Sequence, residues 1–254
     1  MIQPEIKHLY RYRKPTLRNF EMLSRNEIYF SAATAFNDPF DCSIELIIDD
    51  SKSGQEIIEH SVKRYEKYFG ISEAVTREKL EPFGRANSQQ LKEICESIRK
   101  IDMSGIKSGF GILSLSEIDN HPLMWAHYAD GHKGFCIEYQ RTPENDFQHC
   151  QPIRYSETYP KVDLFNTDFK EVCDLALFTK SKHWKYEREW RRVINEPSVT
   201  ETYKNGFVTG IIFGAKMESQ HKGAIARALE GKPKVNYYQA RLKEHSYDLY
   251  IDAL

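Results

Sequence analysis

The chain has 254 residues, a formal net charge of -1, 40% hydrophobic and 29% charged residues. That length supports a core needing no disulfide or metal staple, and the near-neutral balance carries no global field that would mark a nucleic-acid or membrane partner. Charges of both signs are still plentiful enough for a local basic groove, so nucleic acid stays open as a partner.

Along the chain, His8–Tyr12 reads as a short aromatic strand and Thr16–Arg25 as a helix, with Leu17, Phe20, Met22 and Leu23 near helical spacing. Glu27–Ser31 alternates like a half-buried strand. Asn37-Asp38-Pro39-Phe40-Asp41 follows as a loop, because proline restrains the residue before it. Gln55–Phe69 and Gln89–Asp102 read as helices, the second on the stripe Leu91, Ile94, Cys95 and Ile98, with Pro82-Phe83-Gly84 as the break between them. Residues 51–104 are thus expected to be a helical insertion in one α+β domain spanning the chain. Strands are expected at Phe110–Ser116, Gly134–Tyr139 and Pro152–Tyr155, with a short helix or turn at Leu123–Ala129. Asp168–Lys182 reads as a helix running into Trp184. Strands at Glu189–Ile194, Val208–Phe213, Val235–Gln239 and Tyr247–Ile251 close the chain, with a helix at Glu218–Leu229. Few convincing βαβ units occur, so the expected class is α+β with a mixed or largely antiparallel central sheet.

Five cysteines, Cys42, Cys95, Cys136, Cys150 and Cys173, form no C-x-x-C pair. That argues against a disulfide framework and a zinc knuckle and predicts reduced thiols. The N-terminal stretch lacks the apolar core of a signal peptide, and no apolar run approaches the ~20 residues that span a bilayer. A cytoplasmic protein without a membrane partner is expected.

Three constellations could carry chemistry. The first runs through Trp125, His127 and Tyr128 to Gly131 and Gly134, offering stacking surface and a group that titrates near neutral pH; its plain alternative is a tight turn with a core tryptophan. The second is Trp184-Lys-Tyr-Glu-Arg-Glu-Trp-Arg191. On a strand, Glu187 and Glu189 would share a face, repel, and have one pKa raised; its plain alternative is a solvated edge with salt bridges to Arg188, Arg191 and Arg192. In the third, Asp38 and Asp41 could meet a divalent cation, although an Asx-turn explains them better. No G-x-S-x-G, H-E-x-x-H or Walker sequence occurs.

Taken in order, Leu9-Tyr-Arg-Tyr-Arg13, Ile28-Tyr-Phe-Ser31, Phe36-Asn-Asp-Pro-Phe-Asp41, Leu123 through Glu138, Trp184 through Arg191 and Ile211-Ile-Phe-Gly-Ala-Lys216 resemble the motifs of the bacterial family called domain of unknown function 2971. The resemblance spans about Leu9 to Lys216 and implies a prokaryotic intracellular protein with no assigned reaction. The order basic residue, S-x-S, E-x-E is also similar to the ADP-ribosyltransferase pattern. That resemblance implies an ADP-ribosyltransferase-like fold and an enzyme that uses NAD, transferring ADP-ribose or hydrolysing the glycosidic bond, in the manner of a toxin or phage-defence effector. Arg11 or Arg13 would hold the pyrophosphate or ribose, and Ser114 and Ser116 would order the nicotinamide ribose pocket. Glu187 and Glu189, the second preferred by analogy, would stabilise the oxocarbenium-like state. Trp125 or Tyr128 would stack on a ring, with His127 beside them. The departures are L-S-L-S-E in place of serine-threonine-serine and two arginines where the pattern has one. Two other readings compete: a non-catalytic module whose Trp125, His127, Tyr128, Trp184 and Trp190 recognise a nucleotide, peptide or nucleic acid, and a metal-dependent nuclease built on Asp38, Asp41, Glu187, Glu189 and Lys185. The macromolecular acceptor and the oligomeric state stay open.

Overall fold

The computed structural model describes residues 3–47, 52–81, 88–163, 165–204 and 206–254. The expected break at Pro82-Phe83-Gly84 lies outside them, as do the side chains of Leu91 and Ile94. The fold is α+β with a mixed, largely antiparallel central sheet. The chain divides into two compact units, residues 1–31, 111–153 and 183–254 forming the first, residues 32–110 and 154–182 the second. The region 51–104, expected as an insertion, falls inside the second.

The first unit carries the sheet, in the order Val199–Thr202, Glu27–Ala32, Gly111–Ser116, His8–Arg13, Phe135–Gln140, Val208–Phe213, Asn236–Leu242, Leu249–Ala253. Glu189–Ile194 pairs with Gly111–Ser116 and with Gln151–Pro152. A parallel register joins Val208–Phe213 to Asn236–Leu242, across the helix Ser219–Ala228; a parallel pair needs such a crossover.

Strand alternation sorts the side chains onto two faces. One face presents Leu9, Leu113, Leu115, Phe135, Ile137, Tyr139, Ile211, Phe213 and Trp190, and buries them with Leu23 of the helix Leu17–Ser24 and with Ile225. That helix starts where the Thr16 hydroxyl accepts the Asn19 N–H, an N-cap that satisfies one of the helix's unpaired donors. The opposite face presents Tyr12, Cys136, Ile212, Ala240 and Leu249, packed against Met124 and Trp125 of the helix Pro122–Tyr128. Proline at the first turn suits that helix, because its missing N–H would have had no partner there.

The second unit is built from the helices Gly54–Phe69, Glu73–Leu80, Ser88–Gly109 and Phe169–Leu177, with two small parallel pairs, Glu45–Ile47 with Lys161–Asp163 and Arg154–Ser156 with Thr179–Ser181. Ser53 and Glu56 form a capping box at the start of Gly54–Phe69, and Ile58, Val62 and Leu80 bury the contact with the next helix. Arg64 reaches from this helix to Asp102 on Ser88–Gly109, a buried ion pair of 2.8 Å.

The expected helix over Asp168–Lys182 is corrected. It ends at Leu177; Thr179–Ser181 turns into strand, and Lys182–Glu187 is a 3₁₀ turn. The β-branched Thr179 and the pairing with Arg154–Ser156 outweigh continued helix there. The single strand expected over Pro152–Tyr155 is two short ones. All five cysteines are free thiols, as predicted. Among the described residues no helix is long and apolar enough to cross a membrane.

Candidate functional site

The face of the first unit that carries Trp125 also carries most of its polar chemistry. Register fixes this: Glu189 sits opposite Ser116 and Arg191 opposite Ser114, while Tyr10 also pairs with Ser116 and with Glu138. Directly opposed residues project to the same face, so Ser114, Ser116, Glu189, Arg191, Tyr10, Tyr12 and Glu138 all point one way.

Glu189 and Arg191, two residues apart on one strand, form a buried bidentate pair with Nε to Oε1 at 2.7 Å and Nη2 to Oε2 at 3.1 Å. Such a fork neutralises the carboxylate and fixes its plane. Glu187 is not on the strand. It ends the 3₁₀ turn, and Arg188 takes a left-handed φ of 43° before the strand begins at Glu189. The expectation that Glu187 and Glu189 share a strand face is corrected for this reason. Both glutamates are buried, and two hydroxyls hold Glu187 in place. Tyr128 Oη donates to Glu187 Oε1 at 2.6 Å, and Ser116 Oγ donates to the Glu187 carbonyl at 2.7 Å while accepting the Ile118 N–H.

Around these lie groups that the sequence reading did not single out. Tyr10 Oη and Thr209 Oγ1 both donate to Glu138, at 3.2 and 2.7 Å. Asp119 is pushed above the usual carboxylate range by burial and then by Glu138. The Tyr10 phenol is pushed up by burial and the same glutamate. His121 stacks on Tyr186, with centroids 5.2 Å apart and an interplanar angle of 20°, and burial, then Arg188, lowers its pKa. Strand parity was the signal available for Tyr10. Leu9 marks the odd positions of that strand as core, which leaves the even ones facing the site.

The same parity places Arg11 and Arg13 on the opposite face. Arg11 Nη2 donates to the Tyr29 carbonyl at 3.0 Å, and both guanidiniums have their pKa lowered by burial. Neither can share a site with Ser116 and Glu189, so the expected first-motif arginine is corrected. Trp125 is wholly buried, its Nε1 donating to the Asp119 carbonyl and its ring edge-on to Tyr12. It leaves no ring face for a ligand. Trp190 is equally buried, on the other face, under the Arg141 guanidinium. An aromatic pocket of Trp125 with Trp190 therefore does not form. His127 is exposed beside Tyr128.

In the second unit, Asp38 Oδ1 accepts the Phe40 N–H at 2.9 Å, the Asx-turn anticipated for this loop. Asp41 is buried, accepts the Cys42 N–H at 2.7 Å and pairs with Lys180 at 3.6 Å. Among the described residues no group of three or more His, Cys, Asp or Glu side chains is placed to hold a metal ion.

Comparison with known families identifies residues 124–192 with a family model described as protein of unknown function (DUF2971). The matched stretch runs from the helix that supplies Tyr128 to the strand that supplies Glu189 and Arg191. The comparisons with curated proteins and with solved structures give no match.

Proposed function

We propose, from the match of residues 124–192 to the DUF2971 family model and the geometry around Glu187, that the protein is an NAD-consuming glycosyl-transfer enzyme of ADP-ribosyltransferase-like chemistry. The observation that carries the reading is the register of Glu189 opposite Ser116, with Ser116 and Tyr128 together holding Glu187.

The roles differ from those the E-x-E order alone suggests. Arg191 engages both oxygens of Glu189, so Glu189 is a positioning residue that holds the strand mouth rigid. Glu187, gripped by the Tyr128 phenol, is the carboxylate assigned to the reaction. The bond between the nicotinamide nitrogen and ribose C1 breaks, and its electron pair leaves with neutral nicotinamide. Glu187 stabilises the positive charge left on the ribose. Water or an acceptor hydroxyl, amine or guanidine then bonds to C1 and loses its proton to solvent or to a carboxylate. Tyr186, stacked with His121, offers the aromatic surface that Trp125 does not. The exposed Arg188 and Lys185, beside Glu187 in sequence, are the cations assigned to the pyrophosphate.

The test is nicotinamide release from NAD by the full chain, with several acceptors present in turn. Glu187→Gln is expected to lower the rate by about 10²-fold or more, the scale on which one preorganised charge-stabilising group acts. Tyr128→Phe is expected to lower it about tenfold, the scale of one hydrogen bond to a charged group. Wild-type turnover no greater than that of Glu187→Gln would overturn the reading.

A further inference from the structure

The second unit contains a cavity of about 320 Å³ between the helix Gly54–Phe69 and the segment leading into Phe169–Leu177. None of its lining residues belongs to the site described above. Two aromatic pairs line it: His60 with Phe165, centroids 4.6 Å apart, and Tyr68 with Phe169, 4.8 Å apart. Three cations, Lys63, Arg64 and Lys67, line it against one carboxylate, Asp168.

That carboxylate is already committed. Asp168 caps the helix by accepting the Lys170 N–H at 2.8 Å, and it accepts the Tyr68 hydroxyl at 2.7 Å. Arg64 is held over the Phe169 ring at 5.0 Å and ion-paired to Asp102, so it is a fixed positive wall. Lys63 is exposed and has no ion pair among the described residues. His60 Nδ1 is buried with no hydrogen-bond partner among the described residues. Burial, then the positive charges of Arg64 and Lys63, lower the pKa of this histidine and favour the neutral ring, in which one nitrogen donates and the other accepts.

We propose that this cavity binds a nucleoside monophosphate. The rings of His60 and Phe165 supply aromatic surface for a base. Lys63 and Lys67 at the rim meet the phosphate, and His60 Nδ1 meets a polar edge of the base or ribose. The volume lies at the small end of ligand pockets, a size that suits a mononucleotide.

The probe is adenosine 5′-monophosphate, titrated calorimetrically into the full chain, with adenosine and inorganic phosphate as separate titrants. Saturable binding of the nucleotide is expected, with both fragments at least tenfold weaker. Lys63→Glu, a change at an exposed position, is expected to weaken nucleotide binding at least tenfold, and Phe165→Ala to do the same. Glu187→Gln, in the other unit, is expected to leave it unchanged, so failure here and failure of the NAD reading are separable. Absence of saturable binding, phosphate binding as tightly as the nucleotide, or unchanged affinity in Lys63→Glu would each overturn the proposal.

Discussion

Glu187 and Glu189 stand two residues apart and have opposite mutational expectations. Glu189→Ala leaves the Arg191 guanidinium buried without its bidentate partner, and breaking a buried pair from one side costs about 3–5 kcal/mol. Glu187→Gln keeps the volume and an oxygen for the Tyr128 hydroxyl, so its cost is expected to stay near 1 kcal/mol. Urea denaturation of the two variants checks the difference: a large loss of stability in the first, with a small one in the second. Nicotinamide release then tests the role proposed for Glu187 without an unfolding artefact. The pair was legible in the sequence as a candidate, but the division of labour was not. It depends on the left-handed φ of Arg188, a backbone conformation uncommon for a residue other than glycine, which takes Glu187 out of the strand's alternation. The arginines were misassigned for a related reason. Arg11 and Arg13 share the parity of Leu9, and their face is decided by pairing with a strand more than a hundred residues away.

The turn joining the helix Pro122–Tyr128 to the strand Phe135–Gln140 shows what an element-level reading captures. Its glycines serve separate purposes. Gly131 takes a φ of +59° with open space where a Cβ would lie, whereas a Cβ on Gly134 would sit 2.1 Å from the Arg13 carbonyl oxygen. Gly131→Ala is therefore expected to cost about 1 kcal/mol, the left-handed penalty alone. Gly134→Ala forces backbone apart and is expected to reach the upper end of the ~1–3 kcal/mol range for overpacking. Thermal or urea melts of the two variants give that order, and equal costs would refute the argument. The sequence signals both glycines but does not rank them, since the rank depends on the neighbouring strand. Legibility elsewhere followed length and periodicity. The alternation in Glu27–Ala32 was readable because one buried face imposes period two. The three-residue strands Glu45–Ile47, Lys161–Asp163 and Thr179–Ser181 escaped notice because too few residues carry a pattern and their partners are distant in sequence, and the eight-residue helix Glu73–Leu80 because it is short.

Across the whole molecule, buried titratable groups of two kinds set opposing pH dependences. His60, His121 and His132 all have lowered pKa values, burial being the first cause in each, and each has a buried Nδ1 without a hydrogen-bond partner among the described residues. The unfolded chain therefore binds protons at these rings that the folded chain resists. Their contribution to stability is fully present above the ordinary histidine pKa of ~6.5 and is lost as pH falls through the lowered folded values. Asp102 and Asp119 are raised, chiefly by burial. Their contribution is present below the ordinary aspartate pKa of ~3.9 and is lost as pH rises through the folded values. Urea midpoints measured from pH 7.5 to 5.5 separate the two. His121→Gln combined with His132→Gln is expected to reduce the loss of stability on acidification across that window, because two of the three rings no longer take up a proton on unfolding. Asp119→Asn is expected to raise the midpoint at pH 7, with the gain disappearing towards pH 4. It is also expected to steepen the acid-side fall, since the carboxyl that opposed the histidines is gone. A pH profile left unchanged by both sets of substitutions would mean that these side chains meet water in solution as freely as they do in the unfolded chain.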